Sequence, residues 1–108
     1  MNKVTKIMIR QFVKEKLSTD TVWAKKALIK IYEFQTLDEQ KQRDTIYHNG
    51  VGFTGTDGRI LTSFAKQLLK TGYLSDKQTE LLMKKMPKYW IQVVKISDKE
   101  KLNSLINA

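Results

Sequence analysis

The residues able to do chemistry in this chain are few, and most are of one kind. There is a single histidine, His48, and no cysteine, which removes cysteine metal sites, disulfides and paired-histidine metal centres. An acid/base role for His48 would need a carboxylate partner from Asp38, Glu39, Asp44 or Asp57. Those acids stand at expected helix starts, where capping accounts for them. A Mg²⁺ site built from the same carboxylates meets the same objection. No catalytic centre, metal or cofactor is expected, and the chain does not read as an enzyme.

A glycine-rich stretch invites a second test. Gly50, Gly52, Gly55 and Gly58 lie among Asn49, Thr54, Thr56 and Asp57, but their spacing fits neither a phosphate-binding P-loop nor a dinucleotide fingerprint, and no Gly-Lys-Ser/Thr occurs. Asp57 beside a helix start would repel phosphate and reads as a helix cap. No small-molecule substrate is evident.

The cations make the stronger case. The net charge of +9 is uneven: residues 1–30 carry +6, residues 31–60 carry −2 and residues 61–108 carry +5. Such a balance favours nucleic acid or an acidic protein as partner, set against the plain reading of lysines that only solvate the surface. Arg59, Lys66 and Lys70 share one helical face; Lys84, Lys88 and Lys95 recur at spacings of four and seven; Lys25, Lys26 and Lys30 cluster. The expected nucleic-acid contacts are Lys66, Lys70, Lys84, Lys85 and Lys88 to phosphate, with Tyr73 or Tyr89 stacking on exposed bases. Tyr47 and Trp90 are further aromatics nearby, although Tyr89 and Trp90 also begin an apolar helix face and suit a core.

These residues must be positioned by helices. The 108 residues fit a single domain, 1–108, folded as an all-α bundle of five or six helices around the Gly-rich loop. The firmest helix runs from Asp57 to Thr71, with Ile60, Leu61, Phe64, Ala65, Leu68 and Leu69 at helical spacing and Gly72 as stop. Another starts at Thr19 or Asp20, runs to about Gln35 and is the expected central element. Capping boxes at Thr36–Glu39, Ser75–Gln78 and Ser97–Glu100 predict three further starts: a short helix from Leu37 to about Arg43, one through Lys85, and a tail helix within 98–108. Pro87 bends the chain, and Val51 and Phe53 anchor the loop. Residues 1–18 fit either strand alternation or a helix, with helix preferred. The Thr71-to-Ser75 corner also permits a helix-turn-helix, although Asp76 and Glu80 on its second helix disfavour phosphate contact.

No stretch approaches the roughly 18 apolar residues of a membrane span, and no secretion signal opens the chain, so a cytoplasmic setting is expected and no membrane partner. The series Trp23, Ala27-Leu28, Gln35-Thr36, Asp38-Glu39-Gln40, Thr45, Asn49-Gly50-Val51-Gly52-Phe53, Asp57, Leu61-Thr62-Ser63, Leu74-Ser75, Lys77-Gln78 and Lys88-Tyr89 resembles a small module of phage and mobile-element DNA-processing proteins. It covers about residues 21–95 and departs from that pattern at Trp90–Val94, where only Gln92 fits part of a Gln-Leu pair. The resemblance implies a DNA-metabolism setting and transfers no catalytic residue. The expectation is a small basic accessory protein for single-stranded or structured DNA; the alternative is a factor that docks on an acidic protein.

Overall fold

The computed structural model describes residues 4–42, 52–55 and 57–107, with side chains for 4–36, 52–55 and 57–106. It is an all-α compact globule, with no strand among the described residues. In chain order the elements are α1 (Lys6–Thr19), α2 (Thr21–Gln42), α3 (Asp57–Thr71), α4 (Asp76–Lys85), a 3-10 turn (Met86–Tyr89), α5 (Trp90–Ile96) and α6 (Lys99–Asn107). Val51, His48 and Tyr47, named above as loop anchor, acid/base candidate and stacking candidate, lie outside the described residues, as do the side chains of Asp38 and Glu39.

The ambiguous N-terminal segment is helical. Thr5 caps it by accepting from the Met8 N–H, and the Ile9, Phe12–Val13, Leu17 register gives one apolar stripe, with Val13 and Leu17 fully buried. A single residue, Asp20, then serves two helix ends. Its N–H donates to the Lys16 carbonyl at the end of α1, and its carboxylate accepts from the N–H groups of Val22 and Trp23 at the start of α2. This tight corner sets Phe12 edge-on to Trp23, centroids 5.8 Å apart.

The expected break near Thr36 does not occur. α2 runs unbroken to Gln42, because no glycine or proline interrupts it and the Thr36 hydroxyl donates back to the Tyr32 carbonyl instead of capping a new helix. Nor is α2 alone central. α1 touches α2, α4, the 3-10 turn, α5 and α6, so both helices share the core, in which Val13, Leu17, Ala24, Leu28, Ile31, Leu61, Ala65, Leu82 and Met86 are fully buried.

α3 keeps its expected bounds but buries a narrower stripe. Leu61, Phe64 and Ala65 are core, whereas Ile60 and Leu69 face out. The helix ends in a left-handed cap: Gly72 has φ +72° and donates to the Leu68 carbonyl. Nothing crowds a side chain there, so the strain of a substitution is purely backbone. Gly72→Ala is expected to cost about 1 kcal/mol in urea unfolding, with Gly72→Asn closer to wild type; equal stability of all three would show that the cap carries no load.

α4 opens with the complete Ser75–Gln78 capping box. Gln78 also exchanges amide hydrogen bonds with Gln67 at 2.9 and 3.0 Å, locking the α3–α4 corner. Pro87 sits in the first positions of a new helical segment, the 3-10 turn that leads directly into α5. At the third expected box the cap is Asp98, not Ser97. The Asp98 carboxylate accepts from the Glu100 and Lys101 N–H groups, while the Ser97 hydroxyl turns back to the Val93 carbonyl. Among the described residues no helix is long and apolar enough to cross a membrane.

Candidate nucleic-acid interface

Two groups of candidate residues separate once the helices are placed. The first gathers around Asp57, the first residue of α3 and a buried carboxylate. Lys85, Lys88 and Tyr89 fall at i, i+3 and i+4 across the 3-10 turn and so share a face. Lys85 Nζ lies 2.9 Å from one carboxylate oxygen, Lys88 Nζ lies 2.7 Å from the other, and the Tyr89 hydroxyl donates to the second oxygen at 3.2 Å. The Tyr89 oxygen in turn accepts from the Thr54 N–H at 3.1 Å. Asp57 is thus the anchor that ties α3 to the C-terminal elements and to residues 52–55. Its carboxylate is taken up by these three donors and not by a helix cap.

The same strip of backbone is held twice more. Gln92 bonds both the N–H and the carbonyl of Gly52, at 2.9 and 3.0 Å, and Gln35 accepts from the Phe53 N–H at 2.9 Å. Phe53 meets Tyr89 edge-on, centroids 5.7 Å apart. A side chain at position 52 would press on Gln35, which explains the glycine. Every arm of this network joins sequence-distant parts of the chain, so it builds the fold before it can do anything else.

Its charges respond to one another. Hydrogen bonds from Lys88 first, then Lys85, hold the Asp57 carboxyl at about 2 against an ordinary 3.8, overcoming the opposing effect of burial. Seen from the other side, Asp57 raises the Lys88 ammonium above its usual 10.5.

Three of the expected contacts are thus engaged within the fold. Tyr89 is only 3% exposed, with its hydroxyl spoken for and its ring packed on Phe53, and cannot stack on a base. Lys85 and Lys88 are committed to Asp57, although the Lys88 side chain keeps 58% of its surface in water. Reversing Lys88 would act on the fold as well as on any ligand. Since two lysines meet one aspartate, the repulsion expected between Asp57 and a phosphate near α3 is also offset.

The second group is the outer face of α3. Arg59, Ser63, Lys66 and Lys70 repeat at i, i+4, i+7 and i+11, a stripe about 16 Å long at the helical rise. All four are exposed, and among the described residues no carboxylate lies within ion-pair distance of the three cations. Just past the Gly72 cap, Tyr73 is 63% exposed. Beside the stripe, a groove of ≈ 670 Å³ and mixed polarity separates α3 from the C-terminal half of α2. Tyr32, Gln35, Thr36, Thr62, Ser63, Arg59 and Lys66 line it, two cations among hydroxyls and amides.

Of the expected contacts, Lys66 and Lys70 share this face, and Tyr73 is exposed just past the end of the helix. Lys84 is exposed on α4 in a face that also presents Asp76 and Glu80, a mixed-charge setting that weakens the helix-turn-helix reading. The choice of phosphate contacts left out Arg59, although its spacing to Lys66 and Lys70 was legible. The place of Tyr32 at the groove follows only from how α2 and α3 pack. Among the described residues no three His, Cys, Asp or Glu side chains gather as a metal site would need. No protein-family model, curated protein or solved structure matches the chain.

Proposed function

We propose that this protein is a small basic nucleic-acid-binding accessory protein that holds single-stranded or structured DNA along the outer face of α3. The observation that carries the reading is the exposed stripe Arg59, Lys66 and Lys70, unpaired among the described residues, with the exposed Tyr73 just beyond the end of the helix. Cations without acidic partners release counterions when they meet phosphates, and a neighbouring aromatic face adds stacking that any base can satisfy. Single-strand binders combine these two features. The groove beside the stripe offers hydroxyl and amide donors to sugar and phosphate oxygens.

The resemblance to a module of phage and mobile-element DNA-processing proteins points the same way, toward a DNA-metabolism setting. Neither catalysis nor a cofactor enters the proposal.

Tyr73 separates strand binding from general attraction to polyanions. Tyr73→Ala removes a ring that packs on no core residue, so the fold should be unaffected. Affinity for single-stranded DNA should fall by about 1–3 kcal/mol with the salt slope unchanged, because stacking and not charge is lost. Fluorescence anisotropy with a labelled oligonucleotide measures both quantities. Unaltered affinity would remove stacking from the proposal and leave phosphate contact alone.

A further inference from the structure

On a face that α3 does not share, the first half of α2 and the α5–α6 corner leave an apolar groove of ≈ 510 Å³. Its floor is core surface, the buried Ala27, Val93 and Leu102. Its lips are apolar and in water: Val22 is 57% exposed and Leu105 45% exposed. A surface of this kind gains by being covered.

The rim supplies a sign. Lys26 and Lys30 stand one turn apart along α2, and Lys101 faces them from α6. The one acid at the edge, Asp98, is occupied in capping α6 through the Glu100 and Lys101 N–H groups. We infer that this groove docks the apolar face of an acidic amphipathic helix from a partner protein, with Lys26, Lys30 and Lys101 meeting carboxylates that flank the inserted side chains. Length agrees, since Val22 to Lys30 spans about 12 Å, a little over two turns of a bound helix. Anchors at i, i+3 or i+4 and i+7 would fill such a site. Nucleic acid is the poorer occupant, because the lining is mostly apolar and offers phosphates only the rim.

The test uses the full chain and a defined probe: a fluorescein-labelled peptide of about 14 residues with leucines at i, i+3, i+4 and i+7 and glutamates elsewhere. A control carries lysine in place of every glutamate. The acidic peptide should bind saturably below about 1 mM, with amide NMR shifts clustered around Ala27, Ile96 and Leu102, and the lysine control should not bind. Val22→Glu with Leu105→Glu changes only half-exposed side chains, so the circular dichroism of the variant should match wild type while peptide affinity drops about tenfold or more. Equal binding of the two peptides, shifts mapping to α3, no saturable binding, or an unaffected double variant would each overturn the inference. Single-stranded DNA should not compete for the peptide; competition at this groove would reassign it to the nucleic-acid surface.

Discussion

Asp57→Ala should destabilise the protein by about 2–3 kcal/mol, more than any change on the outer face of α3. The substitution leaves the buried Tyr89 hydroxyl without its acceptor and brings two ammonium groups together with nothing between them. The cost stays below that of a fully buried ion pair, because Lys88 can withdraw into water. Lys88→Met should therefore cost less than Asp57→Ala, and the two changes together less than their sum.

Acid provides an independent check. The folded carboxyl titrates at about 2 and the unfolded one near 3.8, so its contribution is complete above about pH 4 and disappears as the pH falls through about 2. The gap in urea stability between wild type and Asp57→Ala should narrow across that window. On the alkaline side, the contribution of Lys88 is complete below its ordinary 10.5 and is lost only above it, as the pH passes its raised folded value. An Asp57→Ala protein as stable as wild type, or a gap that ignores pH between 4 and 2, would mean that the cluster is incidental.

Local signals carried most of the fold. The Ser75–Gln78 box, the Gly72 stop and the bounds of the Asp57–Thr71 helix each rest on signals within one or two turns of chain, and all three are realised. Failures came where a local motif met a competing local bond. Thr36 and Ser97 both spend their hydroxyls on the carbonyl four residues back, and at the second site Asp98 takes the cap. The Asp57 cluster was out of reach for a different reason: its partners are 28 to 32 residues away, and no periodicity links an acid at the head of one helix to lysines on a 3-10 turn. Within the resemblance pattern, Gln35, Gly52, Phe53, Asp57, Gln78, Lys88 and Tyr89 all turn out to pin the fold together. The candidate site was half legible, since the α3 spacing could be read but which lysines were already paired could not.

Removing the three α3 cations together is the change expected to affect binding most. In the Arg59→Gln, Lys66→Gln, Lys70→Gln variant the stability should stay near wild type, because none of the three is paired among the described residues. With roughly 0.7 of a unit of salt slope per phosphate contact on a single strand, three lost contacts lower the slope by about 2. Over the decade between 1 M and 0.1 M salt that amounts to about a hundredfold weaker binding at the lower concentration. Lys84→Gln, on the mixed-charge face of α4, should change the slope by less than one contact. A triple variant with wild-type slope would move the site off α3.

Whether this chain binds nucleic acid as a strand is read from anisotropy titrations of the wild-type protein freed of nucleic acid. Labelled single-stranded DNA, duplex DNA and RNA would each be titrated at several salt concentrations. Binding to single-stranded DNA should be tighter than to duplex, steeply salt-dependent and still measurable at physiological ionic strength. Binding that is indifferent to strandedness and vanishes near physiological salt would contradict strand binding, and the lysines of α3 would then be no more than a solvated surface.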